Sequence, residues 1–122
     1  MRANIVFNPR RNWNNWVKRF VARTTEGTDF EPTFYETHYD QGFSIPGFPI
    51  DETPVVAIGG DGMQNNVLHH LSKLHGGMNQ LPPFFPLVMM GGGLGARRSI
   101  EQITGHYYEA SHSLEKFARG EI

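Results

Sequence analysis

The chain has 122 residues, 39% hydrophobic and 19% charged, with a net charge of -1 and no cysteine. That length supports a single domain over residues 1–122 without a second core, and the absence of cysteine excludes a disulfide framework and a thiolate metal site. The sequence pI near 6.6 lacks the basic footprint of a nucleic-acid binder. No apolar run approaches the length of a membrane span or signal peptide, so the expected location is the cytoplasm, with no transmembrane segment.

Ala3 to Phe7 reads as a short strand that stops at Asn8-Pro9, because proline disfavours helical geometry in the residue before it. Asn12 then caps a helix whose apolar positions, Trp13, Trp16, Val17, Phe20 and Val21, form a stripe expected to face the core. Residues 1–23 carry six bases (Arg2, Arg10, Arg11, Lys18, Arg19, Arg23) and no acid, whereas residues 24–62 carry eight acids and no base. Such a split describes two solvated faces of opposite sign, or lets Arg10 and Arg11 lend positive potential to an anion site.

Phe30 to Thr37 reads as a second strand, with Pro32 pointing to its start or to a sheet edge. Residues 38–53 have no helical period and form a long loop, whose Phe43, Ile45, Phe48 and Ile50 are expected to cover the core. Pro54 to Ile58 is continuously apolar, as in a parallel strand buried on both faces. Met63, Val67, Leu68, Leu71 and Leu74 then mark a helix ending at Gly76-Gly77. Phe84 to Met90 is a further buried strand, Ser99 to Ile103 has helical tendency, and Leu114, Phe117 and Ala118 belong to a final helix closed by Gly120. Strands alternate with helices, so the expected architecture is three-layer α/β with a mostly parallel sheet flanked by helices.

Ile58-Gly59-Gly60-Asp61-Gly62 joins the carboxyl end of a buried strand to a helix, which is where open α/β sheets bind ligands. Glycines let the backbone adopt positive φ and approach a ligand closely, and the helix behind offers unpaired N–H groups and a positive dipole end for phosphate. Asp61 adds a carboxylate suited to orienting a hydroxyl or holding Mg²⁺. No Gly-Lys-Ser/Thr follows, so this is not a Walker A loop. The later cluster Gly91-Gly92-Gly93-Leu94-Gly95-Ala96 has the form G-x-G-x-x-A but no acid-ended strand follows it, which argues against a Rossmann fingerprint. His69 and His70 are adjacent and point about 100° apart on a helix. They and His75 therefore read as surface and helix-end residues, not a metal site.

Taken in order, Phe7-Asn8-Pro9, the Gly-Gly-Asp-Gly loop and the strand leading to Gly93-Leu94-Gly95-Ala96 resemble the diacylglycerol kinase catalytic domain. That family sits with sphingosine kinases and NAD kinases, and the resemblance covers nearly the whole chain. Asn8 and Pro9 match its first motif, Gly59, Gly60, Asp61, Gly62, Asn65 and Val67 match its second, and Gly93 to Ala96 occupy its third. The resemblance implies a NAD kinase/diacylglycerol kinase-like N-terminal domain binding an ATP-like nucleotide with Mg²⁺. Asn8, Arg10, Arg11, Gly59, Gly60, Asp61, Gly62, Asn65, Gly93 and Gly95 are its implied contacts, and Asp61 the metal ligand.

The sequence also departs from that family. Met63 stands where the family has Thr, Asn66 where it has Glu, and Leu94 and Ala96 where it has Thr and Asn. Arg10 and Arg11 replace small residues. Family enzymes continue into a β-rich domain that holds the lipid and supplies an acid/base carboxylate, and this sequence ends at Ile122 before such a domain begins. The expectation is nucleotide binding without catalysis by the chain alone, and no catalytic residue is assigned. A lipid-kinase subunit whose acceptor domain lies on another chain, and an interaction module that kept the fold and lost the ligand, remain alternatives. A protein partner or self-association stays open.

Overall fold

The computed structural model describes residues 1–9, 13–87 and 110–121, and only the backbone for Trp13, Asn14, Asp61 and residues 110–113. Strands β1 (Arg2–Phe7), β2 (Glu31–Glu36), β3 (Val55–Ile58) and β4 (Phe84–Leu87) form one sheet in the order β2-β1-β3-β4. Every neighbouring pair is parallel. Parallel strands need crossover connections. Two of these are helices α1 (Trp13–Thr24) and α2 (Asp61–His75), and a third helix, α3 (Ala110–Ala118), follows the sheet.

The side-chain alternation of the strands separates two cores. On one face Ala3, Ile5, Phe7, Val56, Ile58, Phe85 and Leu87 pack with Val17 and Val21 of α1 and Leu114, Phe117 and Ala118 of α3. On the other, Val6, Val55 and Ala57 pack with Met63, Val67 and Leu71 of α2 and with Ile45 of the long loop. Helices therefore cover both faces, which is why VVAI of β3 is apolar at every position and fully buried. Each fully buried Val, Leu, Ile or Phe contributes about 1.5–3 kcal/mol to holding the layers together. Phe117 fixes α3 by stacking on Phe85 at 4.8 Å and meeting Phe30 edge-on at 6.4 Å.

Both strand prolines lie in the outer strands among the described residues. Pro32 pairs with Ala3 in β2, where Glu31 and Thr37 donate to the Met1 and Phe7 carbonyls of the β1 side. The two-residue alternation turns the Pro32 nitrogen away from β1, so no ladder bond is lost. Pro86 pairs with Ala57, and the Pro83 and Leu87 carbonyls accept from Val55 and Gly59 by the same alternation. The α2 helix ends as the sequence indicates. Gly76 takes φ 81°, and Gly76 and Gly77 both donate to the Ser72 carbonyl.

Three expectations need correction. Trp16 is 45% exposed rather than core, because Val17 and Val21 hold the centre of the buried face and Trp16 stacks on Phe20 at its margin. Ile50 is 64% exposed, although Phe43, Ile45 and Phe48 do pack on the α2 side. The third correction concerns the glycine loop and belongs to the site below. The first strand begins one residue earlier than the sequence indicates, at Arg2. The cap at Asn12, residues 88–90 of the fourth strand and the helical tendency of Ser99 to Ile103 lie outside the described residues.

Candidate functional site

The chain winds from β1 outward to β2, then crosses back past β1 to β3 and onward to β4. The winding direction thus reverses between β1 and β3, and the loops leaving these two strands diverge at their carboxyl ends. That is the crevice in which open α/β sheets take ligands. Phe7 pairs with both Glu36 and Ile58, so Thr37, Asn8 and Gly59 leave the sheet side by side at this point. The ladder continues one step further, with the Thr37 N–H donating to the Phe7 carbonyl at 2.9 Å and the Gly59 N–H to Leu87 at 3.1 Å.

Gly59 and Gly60 make the turn into α2. Gly60 is the N-cap residue, with φ -88° and ψ -176° and no side-chain cap hydrogen bond. The first intrahelical bond runs from the Gln64 N–H to the Gly60 carbonyl at 3.0 Å. The N–H groups of Asp61, Gly62 and Met63 precede that bond and have no carbonyl of the helix to meet. They form the positive end of a helix of 15 residues.

Of the two reasons expected for these glycines, positive φ does not hold. None of Gly59, Gly60 and Gly62 has positive φ, so backbone conformation does not require glycine here. At Gly59 the requirement is packing. A Cβ there would lie 3.3 Å from Met63 Cβ and 3.4 Å from its Cγ, and would run into its sulfur. At Gly60 and Gly62 a Cβ would have nothing within 4 Å. Both stand in open space at the uncapped end of α2, so packing does not require glycine at either position.

Among the expected contacts, the structure gathers Asn8, Gly59, Gly60 and the backbone of Asp61 and Gly62 at this one sheet end. Asn8 is half-buried, and Asn65 lies one turn along α2 and is exposed. Arg10, Arg11, Gly93 and Gly95, with Leu94 and Ala96, lie outside the described residues. Met63 is buried against β3 and the α2-side core, so it offers its thioether to packing.

Two polar residues here escaped the sequence reading. Thr37 is only 3% exposed, and its hydroxyl has no hydrogen-bond partner among the described residues. Gln64 is equally buried and donates from Nε2 to the Ala57 carbonyl at 2.7 Å. A signal for Gln64 exists in the sequence, since it lies on the buried stripe with Val67 and Leu71 at i, i+3 and i+7. Thr37 carries none beyond its place as the last residue of the expected second strand, which the structure ends at Glu36.

Elsewhere, an open hollow of about 400 Å³ lies between Arg23, Thr24, Glu26, Gly27 and Glu115, at the far end of α1 from this site. Its lining mixes both charge signs and does not converge on one chemistry. No described helix is long and apolar enough to cross a membrane, and no three described His, Asp or Glu side chains group as metal ligands. No family model, curated protein or solved structure matches the chain.

Proposed function

We propose that this chain is a nucleotide-phosphate-binding domain of the diacylglycerol kinase-like type, without phosphoryl transfer of its own. The observation that carries the reading is the uncapped N-terminus of α2, set at the topological switch point with open space beside Gly60 and Gly62. Backbone N–H groups and the helix dipole bind phosphate oxygens without any particular side chain. Thr37, with its buried unpaired hydroxyl at the neighbouring strand end, adds a polar group to the same edge.

Mg²⁺ fits this arrangement as a companion of the nucleotide. It is ordinarily held by one or two carboxylates together with phosphate oxygens and water, so a preformed cage of three acids is not needed. Asp61 is the residue assigned to it. Catalysis requires more than binding, because phosphoryl transfer rests on positioned donors that tighten on the transferring group. Met63 stands in the first turn of α2 where a hydroxyl donor would serve that purpose, and it is committed to the core.

Isothermal titration of the chain with ATP and ADP, with and without Mg²⁺, tests the proposal, with Gly60→Val as control. Saturable binding by the wild type and none by a folded Gly60→Val protein is expected, because the valine side chain would fill the open approach. Wild-type protein that binds neither nucleotide refutes the proposal, as does a Gly60→Val variant with unchanged affinity.

A further inference from the structure

Gln64 has a larger part in the glycine loop than a buried polar residue of α2 needs to have. Its backbone N–H donates to the Gly60 carbonyl at 3.0 Å, and its side-chain Nε2 donates to the Ala57 carbonyl at 2.7 Å. Ala57 belongs to β3 and Gly60 caps α2, so one residue ties both ends of the turn that contains Gly59 and Gly60. The side-chain bond spans seven positions of sequence and closes strand, turn and helix into a ring.

We propose that Gln64 is the positioning residue of the glycine loop, holding the first turn of α2 at a fixed height above β3 so that its free N–H groups converge on one anion. This rests on the phosphate-binding reading above. Without the tie, Gly59 keeps its N–H bond to Leu87 and the first helical bond to the Gly60 carbonyl remains, but the contact across the turn between α2 and β3 is that of Met63 on Gly59, which is apolar and non-directional. A hydrogen bond between a strand carbonyl and a first-turn side chain adds the direction that a converging set of N–H donors requires.

Stability alone does not ask for glutamine at position 64. Its Oε1 is buried with no partner among the described residues, and an acceptor left in that condition destabilises a fold. A methionine of similar length would fill the same space without the orphan oxygen. The arrangement gives up folding free energy and gains a directional clamp at the loop. Such a trade is expected at a site where geometry matters more than stability.

The test uses the full chain as wild type and as Gln64→Met, with Gln64→Leu as a second variant should methionine fold poorly. Three quantities are measured: urea stability, NMR amide exchange at the Gly59 and Gln64 backbone and the Gln64 side chain, and titration with inorganic pyrophosphate in Mg²⁺. In the wild type the Gln64 side-chain amide should show slowed exchange. In Gln64→Met the exchange at Gly59 and Gln64 should quicken on the order of fivefold and pyrophosphate affinity should fall by a similar factor. Global stability should be equal or higher. Unchanged exchange and affinity would overturn the proposal. So would a fall in stability that quickens every core amide together, since that marks a merely structural residue. Wild-type protein that binds no pyrophosphate refutes the phosphate reading instead, and the exchange measurement then decides the clamp by itself.

Discussion

Replacing Gly59 with alanine separates packing from conformational freedom as the reason for glycine at that position. Its backbone is outside the positive-φ region, so alanine is sterically allowed and should even gain about 0.4–1 kcal/mol by restricting the unfolded chain. Against that gain stands the Met63 side chain, whose Cβ and Cγ lie 3.3 and 3.4 Å from the new methyl and whose sulfur lies in its path. The sulfur can swing aside, but Met63 is buried among Val67, Leu71 and Ala57 and has little room to do so. Overpacking of this kind costs about 1–3 kcal/mol. The net expectation is a loss of roughly 1 kcal/mol, seen as a melting temperature lower by about 3–5 °C for a chain of this size. Urea denaturation of Gly59→Ala, Met63→Ala and the double variant closes a thermodynamic cycle. In the Met63→Ala background the alanine at 59 should cost nothing or should stabilise. An equal loss in both backgrounds, or none in either, would refute packing as the cause.

Gly76→Ala should lose about 1–2 kcal/mol purely from backbone strain at φ 81°, since nothing lies within 4 Å of the new methyl, and Gly76→Asn should lose less in the same denaturation assay. Burial, and secondly the charge of Lys73, hold the His70 imidazole below its usual pKa of 6.5, so the folded state favours the neutral ring lying edge-on to Phe43. Its contribution is complete above the unfolded value of 6.5 and is lost as pH falls from there through the lower folded value. Wild type should therefore lose stability relative to His70→Phe across that window in pH-dependent urea melts, and parallel curves would count against the assignment. Asp61→Asn should weaken the Mg²⁺-dependent part of ATP affinity and spare the rest, as read by titration with and without the ion. Equal losses in both conditions would remove Asp61 as a metal ligand.

The elements most legible in the sequence were those whose pattern had one physical cause. Val55 to Ile58 is apolar because both faces of β3 are covered, and Gly76 is a glycine because a left-handed residue ends α2. Trp16 misled because a stripe that includes both Trp16 and Val17 already spans about 100° of the helix. The sheet buries Val17 and Val21 completely and leaves Trp16 to stack on Phe20 at the rim. The glycine loop was legible as a place and illegible as a mechanism. Positive φ, close packing and open approach all leave glycine in the sequence, and only coordinates assign packing to Gly59 and open space to Gly60 and Gly62. Gln64 escapes a stripe defined by hydrophobicity, although its spacing with Val67 and Leu71 puts it there.

Electrostatics at the switch point give the role of Asp61 its particular interest. The segment from residue 24 to residue 62 carries eight acids and no base, and it supplies β2, the long loop, β3 and the glycine turn. Glu26, Asp29, Glu31, Asp51 and Glu52 fall toward the amino ends of the strands, whereas Glu36 at the end of β2 and Asp61 at the start of α2 are acids of this sheet edge. A bare polyphosphate therefore meets an attractive helix end with acids of its own sign beside it. The dipole and free N–H groups act only over the first turn, so the attraction is strong at contact and weak at a distance. An acid in the first turn of a helix is also stabilising in its own right, which accounts for an aspartate at 61 with no ligand involved. A divalent cation changes the balance, because it neutralises phosphate charge and gives a carboxylate at this edge something to attract. The helix-stabilising role of Asp61 is independent of Mg²⁺, whereas a ligand role is not. The difference between the two titrations, not either affinity alone, is the quantity that tells them apart.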